Sequence, residues 1–137
     1  MIRNIYSELE FTERFVTNIE DLKGKIIKNI QVSNSKDFII FELDNKEAIL
    51  MYHEQDCCES VYIDEIHGDL NNLIGSEILM VEEIEGESPS EVGSYVESYT
   101  WTFYKLATVK GYVTIRWFGE SNGYYSESVD FAKVKIK

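Results

Sequence analysis

Residues 99–119, YTWTFYKLATVKGYVTIRWFG, predict two β-strands joined by a tight turn. In residues 99–109 and 112–119, aromatic and β-branched side chains alternate with other side chains, which is typical of strands that bury one face. The Lys110-Gly111 pair between them predicts a turn. An antiparallel hairpin is therefore expected here, with one of its faces in the core.

Five further segments have strand character and are separated by turn signals. They are residues 26–32, 38–43, 47–52, 77–84 and 124–136. Asp44-Asn45 predicts a hairpin turn, since both residues tolerate positive φ. Asn122-Gly123 gives the strongest hairpin signal in the chain, because both central residues of a type I′ turn need φ above zero.

Short helices are predicted at residues 18–23, 56–67 and 70–74. Asp56 and Glu59 have the spacing of a capping box, in which Glu59 reaches back to the amide of Asp56. Each segment is followed by a glycine that can end a helix, namely Gly24, Gly68 and Gly75. The expected fold class is therefore α+β: a β-rich domain of antiparallel hairpins or a meander, with one or two short helices.

A weak internal repeat accompanies these elements. Leu22-Lys-Gly24, followed by Ile27 and Ile30, matches Leu73-Ile-Gly75, followed by Ile78 and Val81. A duplicated helix-plus-three-strand unit is one interpretation, and chance is the other, because short matches have many false positives.

The 137 residues fit one domain, expected to span residues 1–137 with an N-terminal arm at residues 1–16. Residues 85–94 contain the only proline, two glycines and three serines, and predict a mobile acidic loop. No apolar run is long enough to cross a bilayer, and the N-terminus lacks the apolar stretch of a signal peptide. We expect a soluble, cytoplasmic protein.

The negative charge is concentrated in one block. The formal net charge is −12, and residues 47–104 contain fourteen Asp and Glu but no Lys or Arg. The rest of the chain has eleven acids and thirteen bases. Such a block repels nucleic acid and anionic membranes and attracts basic surfaces. A solvated face that maintains solubility is the alternative interpretation. The candidate partner-binding acids are Glu82, Glu83, Glu85, Glu87 and Glu91.

Residues 51–70, MYHEQDCCESVYIDEIHGDL, place two adjacent cysteines between two histidines. Zinc could be bound by His53, Cys57, Cys58 and His67, but the H-x3-C-C-x8-H spacing is unlike usual zinc sites. A nucleophilic cysteine with His53 as base lacks a third orienting group. We therefore expect both thiols to be reduced and metal-free, and we expect no cofactor.

The aromatic C-terminal third offers a second candidate site. Strand alternation separates Tyr99, Trp101 and Phe103 from the side chains between them. A face with tyrosines and one arginine can stack a planar ligand and hydrogen-bond its rim. The candidate ligand-binding residues are Tyr112, Arg116, Phe118 and Tyr124. Arg116 could bind an anion, or could only pair with one of the many acids.

Three motifs together carry a family resemblance: Asp-Cys-Cys-x-Ser at residues 56–60, Leu-Ile-Gly at residues 73–75 and Ser-Asn-Gly-Tyr-Tyr at residues 121–125. Over about residues 24–131 the chain resembles an uncharacterised domain family common in bacteriophages and prophages. The resemblance implies a phage setting in a bacterial host. The family has no assigned activity, so the resemblance assigns no catalytic residues to this chain. The acidic loop at residues 85–94 departs from the family pattern.

These observations lead to three functional hypotheses. The first is a non-enzymatic, acidic antagonist of host defence, similar to anti-CRISPR proteins, whose carboxylates occupy a basic nucleic-acid groove of a host protein. The second is a small-molecule binder, such as a sponge for a nucleotide signal, which uses the aromatic face. The third is a thiol or metal enzyme at Cys57 and Cys58. Direct nucleic-acid and membrane binding are not expected, and a homodimer is a further expected partner.

Overall fold

The chain forms two antiparallel β-sheets that pack face to face. The structure, a computed structural model, describes residues 3–87, 98–123 and 125–137, without the side chains of Glu13 and Glu87. The strands are β1 (Leu9–Thr17), β2 (Asn29–Val32), β3 (Phe38–Glu42), β4 (Glu47–Tyr52), β5 (Ser60–His67), β6 (Met80–Glu87), β7 (Ser98–Thr108), β8 (Gly111–Ser121) and β9 (Asp130–Ile136). The first sheet has the order β1-β9-β4-β3-β2, and the second has the order β5-β8-β7-β6.

No α-helix occurs among the described residues, so the predicted α+β class is wrong and the fold is nearly all-β. The helical segments are three short 3₁₀ turns, at Tyr6–Glu8, Ile19–Leu22 and Leu70–Leu73. The second and third turns lie where short helices were predicted. Their caps are Asn18, which accepts from the Glu20 amide at 3.0 Å, and Asp69, which accepts from the Asn71 amide at 2.9 Å.

The helix predicted at residues 56–67 is wrong, because residues 60–67 form strand β5. Val61 and Ile63 face the core, while Tyr62 and Asp64 face outward, which is the two-residue period of a strand. Antiparallel pairing with β8 stabilises this alternation. The capping-box bond from the Asp56 amide to Glu59 does form, at 2.9 Å, but it closes a loop instead of starting a helix.

The hairpin predicted at Asn122-Gly123 is also wrong. Strand β8 ends at Ser121 in the second sheet, and β9 starts only at Asp130 in the first sheet. The chain therefore crosses from the second sheet to the first between Ser121 and Asp130. The turns predicted at Asp44-Asn45 and Lys110-Gly111 are confirmed, because β3 pairs with β4 and β7 pairs with β8 in register.

The chain order within the sheets shows two matching meanders, β2-β3-β4 and β6-β7-β8. A 3₁₀ turn precedes each meander, so the helix part of the predicted duplicated unit is wrong. The strand after each meander crosses to the opposite sheet: β5 pairs with β8, and β9 pairs with β4. Each sheet thus includes a strand that follows the other meander.

The main core lies between the inner faces of the two sheets. Its largest fully buried side chains include Phe41, Met51, Tyr104 and Trp117. A second apolar cluster lies on the outer face of the first sheet, where Ile5 and Leu9 of the N-terminal arm cover it. The arm is therefore part of the folded structure, with β1 paired to β9.

Substitution of Leu73 tests how much the third 3₁₀ turn contributes to the stability of the core. Its side chain is fully buried at the end of the third turn, whereas the nearby Leu79 is half exposed. Leu73→Ala is expected to lower the free energy of unfolding by about 2–5 kcal/mol, since it leaves a cavity in the core. Urea denaturation measures this change. Leu79→Ala is the matched control and should change the free energy by no more than about 0.5 kcal/mol; equal losses in both variants would contradict this account of the core.

Candidate functional site

An acid-lined groove of about 270 Å³ opens beside β6, β7 and residues 123 and 125–129. Three carboxylates line it, those of Glu83, Glu85 and Glu127. Hydroxyl groups make up most of the remaining polar lining, from Ser98, Thr100, Thr102, Tyr104, Ser126 and Ser128. The groove therefore offers mainly hydrogen-bond acceptors and negative charge.

Strand alternation places two of these carboxylates on the inner face of β6. Glu83 pairs across the sheet with Tyr104, and Glu85 pairs with Thr102, so all four side chains share that face. The neighbouring inward residue, Val81, is buried in the core. Glu83 and Glu85 are exposed, which shows that this face opens to solvent toward the end of β6.

Tyr104 lies at the base of the groove and is almost completely buried. Its ring packs edge-on against Phe131, with 5.4 Å between ring centroids. Burial raises the pKa of its hydroxyl well above the ordinary value, and the charge of Glu83 and a hydrogen bond to it add to the effect. The hydroxyl therefore stays protonated and donates to Glu83.

Glu127 is held in the groove by two hydroxyl donors. Thr100 Oγ1 donates to Glu127 Oε1 at 2.8 Å, and Ser121 Oγ donates to Oε2 at 2.5 Å. Gly119 leaves room for this arrangement, because a Cβ at that position would lie 2.8 Å from the Glu127 Cβ. The carboxylate is thus positioned by β7, β8 and the crossover after β8.

The predicted partner-binding acids do not form one track. Glu83 and Glu85 line the groove, but Glu82 is on the opposite face of the same strand, across from Lys105. The backbone of residue 87 continues β6, whereas the Glu87 side chain and Glu91 lie outside the described residues. Sequence reasoning missed Glu127 and Tyr104. The two-residue period of β6 could have separated Glu82 from the other two.

The predicted ligand-binding residues Tyr112, Arg116 and Phe118 share the outer face of the second sheet. Tyr124 lies outside the described residues. Cross-strand pairing brings three further rings to Phe118: those of Trp101 at 4.5 Å, Tyr62 at 5.8 Å and Tyr99 at 6.0 Å. An aromatic face therefore exists on this sheet.

Arg116 is the cation at the centre of this face, and it is neutralised there. Its guanidinium donates to Asp64 from Nε at 2.8 Å and also from Nη2, and it lies 3.1 Å from Glu65. Its Cζ is 5.0 Å from the centroid of the Trp101 ring. The interpretation of Arg116 as a partner of acids therefore describes this structure better than that of a free anion site.

The two cysteines are joined to each other in a disulfide, so the expectation of two free thiols is wrong. Both lie in the exposed loop between β4 and β5. His67 is exposed at the end of β5, away from this loop. Across the described ranges, no three His, Cys, Asp or Glu side chains converge as a metal site would require.

His53 and Glu59 form a buried pair beneath this loop, with side-chain exposures of 3% and 0%. His53 Nδ1 lies 2.7 Å from the Ser128 carbonyl oxygen, and Nε2 lies 2.9 Å from Glu59 Oε2. Both ring nitrogens of His53 are therefore engaged, and the ring links the loop between β4 and β5 to the residues just before β9. Burial alone would raise the pKa of Glu59, but hydrogen bonds from the Cys57 amide, His53 and the Asp56 amide lower it to about 2.

The fold and the groove define a class: a small two-sheet antiparallel β-domain with an acid-lined groove beside the crossover from β8 to β9. The chain belongs to the family described as Domain of unknown function (DUF7448), which matches residues 20–131. No curated protein and no solved structure matches the chain. Within the part of the chain that the structure describes, no helix could cross a membrane.

The lowered pKa of Glu59, which is paired with His53, predicts that the stability of the fold decreases in acid. Because its folded pKa is lower than its ordinary value, the ionised carboxyl stabilises the fold above about pH 4.5 and loses this effect as pH falls to about 2. Urea denaturation of the wild type and Glu59→Gln from pH 7 to pH 2.5 measures it. The variant should be less stable at pH 7, and the difference should shrink in acid. Glu20→Gln is the exposed control, and a constant difference across the range would contradict this assignment.

Proposed function

We propose that the protein is a non-enzymatic binding protein whose acid-lined groove receives basic side chains of a partner protein. The observation that carries the proposal is the convergence of Glu83, Glu85 and Glu127 in one groove. Carboxylates and hydroxyls are the acceptors that an ammonium or guanidinium group requires. The formal net charge of −12 would attract such a partner from a distance.

The size of the groove favours a side chain over a free ligand. Its volume of about 270 Å³ falls below the usual range of small-molecule pockets, about 300–1,000 Å³. A lysine or arginine side chain is narrow enough to enter such a groove. Its charge would meet carboxylates that are already positioned, so little ordering is required on binding.

The resemblance to phage and prophage domains gives this chemistry a setting. In a bacterial cytoplasm, basic grooves that bind nucleic acid are present in many defence proteins. An acidic phage protein could occupy such a groove by presenting carboxylates in place of phosphates. In this proposal the protein is an antagonist of host defence, similar to anti-CRISPR proteins, and its partner is a host protein with a basic groove.

The two alternatives have weaker support from the geometry. A thiol enzyme would need a free sulfur and a free base, but Cys57 and Cys58 are bonded together and both His53 nitrogens are hydrogen-bonded. A nucleotide sponge on the aromatic face would use Arg116, which Asp64 and Glu65 neutralise. The lining described for the cavity beside Cys58 includes none of the aromatic rings. A homodimer stays a prediction.

The test uses host defence nucleases that have basic grooves, for instance a purified Cas9-type nuclease with its guide RNA. The binding rates are measured for the wild type, for Glu83→Gln/Glu85→Gln and for the control Glu20→Gln/Glu82→Gln, which has the same net charge. Association of the wild type should slow several-fold between about 50 and 300 mM salt, because exposed charges are screened over about 8 Å at physiological ionic strength.

The groove variant should weaken binding to such a nuclease at least several-fold more than the control variant does. Target DNA should compete with the protein for the nuclease. Binding that is insensitive to salt, or that both double variants reduce equally, would show that the groove does not receive the partner.

A further inference from the structure

A second cavity, of about 380 Å³, lies between the N-terminal arm and the first sheet. The arm contributes Tyr6, Phe11 and Arg14 to its lining. The sheet contributes Phe38 from β3 and Tyr52 from β4, and the loop after β4 continues the wall. This cavity is within the size range of small-molecule pockets, about 300–1,000 Å³.

Aromatic rings form one wall of this cavity. Tyr6 stacks on Phe38 with 4.8 Å between ring centroids, and Phe11 tilts against Tyr6 at 5.5 Å. Yet Tyr6 and Phe11 keep 44% and 42% of their surface exposed. Large rings exposed together around a cavity indicate a surface that binds a ligand. A flat aromatic ligand would cover them.

Polar groups also line this cavity. The Arg14 guanidinium lies 5.7 Å from the centroid of the Tyr52 ring, and its contact with the Glu54 carboxylate is long at 3.9 Å. Burial raises the pKa of the Tyr52 hydroxyl, so it stays protonated. Arg14 supplies donors, whereas Glu54 and Asp37 supply acceptors. The cavity lining can therefore form hydrogen bonds with an aromatic ligand whose edge carries both donors and acceptors.

The arm that completes the cavity is firmly held. Arg3 forms hydrogen bonds with Glu42 at 2.7 and 2.9 Å and with Glu8 at 2.8 and 3.0 Å. The Ile5 amide donates to Gln31 Oε1, and the Ile5 side chain is buried. Such anchoring keeps the arm's rings in place before a ligand binds, which reduces the entropy lost on binding.

The negative charge of the protein determines which planar ligands the cavity can bind. The formal net charge of −12 repels polyphosphates, and the two carboxylates in the cavity wall add local repulsion. We infer that this cavity binds a neutral heteroaromatic ring, of the nucleobase or nucleoside class, stacked against the rings of the arm and bound at its edge by Arg14. The matched domain spans residues 20–131, so the arm's half of this site lies outside it.

Saturation-transfer NMR with adenosine, guanosine, cytidine and uridine, followed by calorimetric titration, tests the inference on the full chain. At least one nucleoside should bind the wild type. Phe11→Ala and Arg14→Gln should each weaken that affinity about tenfold, as removal of a stacking or hydrogen-bonding group does. Both residues are exposed, so these substitutions should leave the fold intact. The matching 5′-monophosphate should bind more weakly than the nucleoside, and added salt should reduce this difference.

Controls separate this site from the other candidate surfaces. Tyr112→Ala, on the aromatic face, and Glu83→Gln/Glu85→Gln, in the groove, should leave nucleoside affinity unchanged. Unchanged nucleoside affinity in the Glu83→Gln/Glu85→Gln variant would also separate this inference from the proposed function, because the proposed function depends on the groove. The inference is wrong if no nucleoside binds at millimolar concentration, or if Tyr112→Ala weakens binding as much as Phe11→Ala does.

Discussion

The fold depends on two reciprocal backbone hydrogen bonds between the segments around Gly24 and Gly75, which share a short sequence pattern. We call this pair of hydrogen bonds the clasp. The Gly24 amide donates to the Ile78 carbonyl at 2.8 Å, and the Gly75 amide donates to the Ile27 carbonyl at 2.9 Å. Both glycines have φ of +84°, a conformation that favours glycine. The equivalent side chains on either side of the clasp, Leu22, Leu73, Ile27 and Ile78, are all fully buried. The clasp therefore joins the start of one meander to the start of the other.

This arrangement determines where the chain must cross between the sheets. After each meander the next strand joins the opposite sheet, so the chain crosses between the sheets twice, first from β4 to β5 and then from β8 to β9. The two crossovers meet directly: His53 Nδ1 donates to the Ser128 carbonyl, and the Glu54 amide donates to Asp130 Oδ2 at 2.8 Å. The acid-lined groove borders the second crossover, and the cavity between the N-terminal arm and the first sheet borders the first crossover.

The sequence predicted most of the strands from two patterns. Side chains alternate with a two-residue period in β7 and β8, and short continuous apolar runs between turn signals form β3 and β4. It failed at residues 56–67, where a capping-box spacing competes with alternation and local hydrogen-bonding potential alone cannot decide between them. It also failed at Asn122-Gly123. A turn signal shows that the chain bends, but not whether the following strand pairs with the preceding one. Here the clasp and the strand exchange, both long-range contacts, decide the outcome.

For the candidate sites, the sequence identified the acidic block but not the arrangement of its charges. Glu83 and Glu85 were predicted from residue type, and Tyr112, Arg116 and Phe118 from residue type and alternation; the structure places the first two in the groove and the other three on the aromatic face. Glu127 was missed, since its position depends on the crossover over Gly119. The cavity under the arm was missed for the same reason: the sequence gives no sign that residues 6–14 pack over β3 and β4.

The carboxylates of this acidic chain differ in the side chains that contact them, and this difference decides which of them keep their negative charge for binding a partner. Several carboxylates are neutralised within the fold: Glu42 by Arg3, Asp21 by Lys25 and Lys133, and Asp64 by Arg116. Glu59 is hydrogen-bonded to His53. These pairs fasten the arm, the second 3₁₀ turn, the aromatic face and the cysteine loop. The groove acids are held instead by neutral hydroxyls, Glu83 by Tyr104 and Glu127 by Thr100 and Ser121. Hydroxyl donors position a carboxylate without cancelling its charge, so these acids can still attract a cation from a partner.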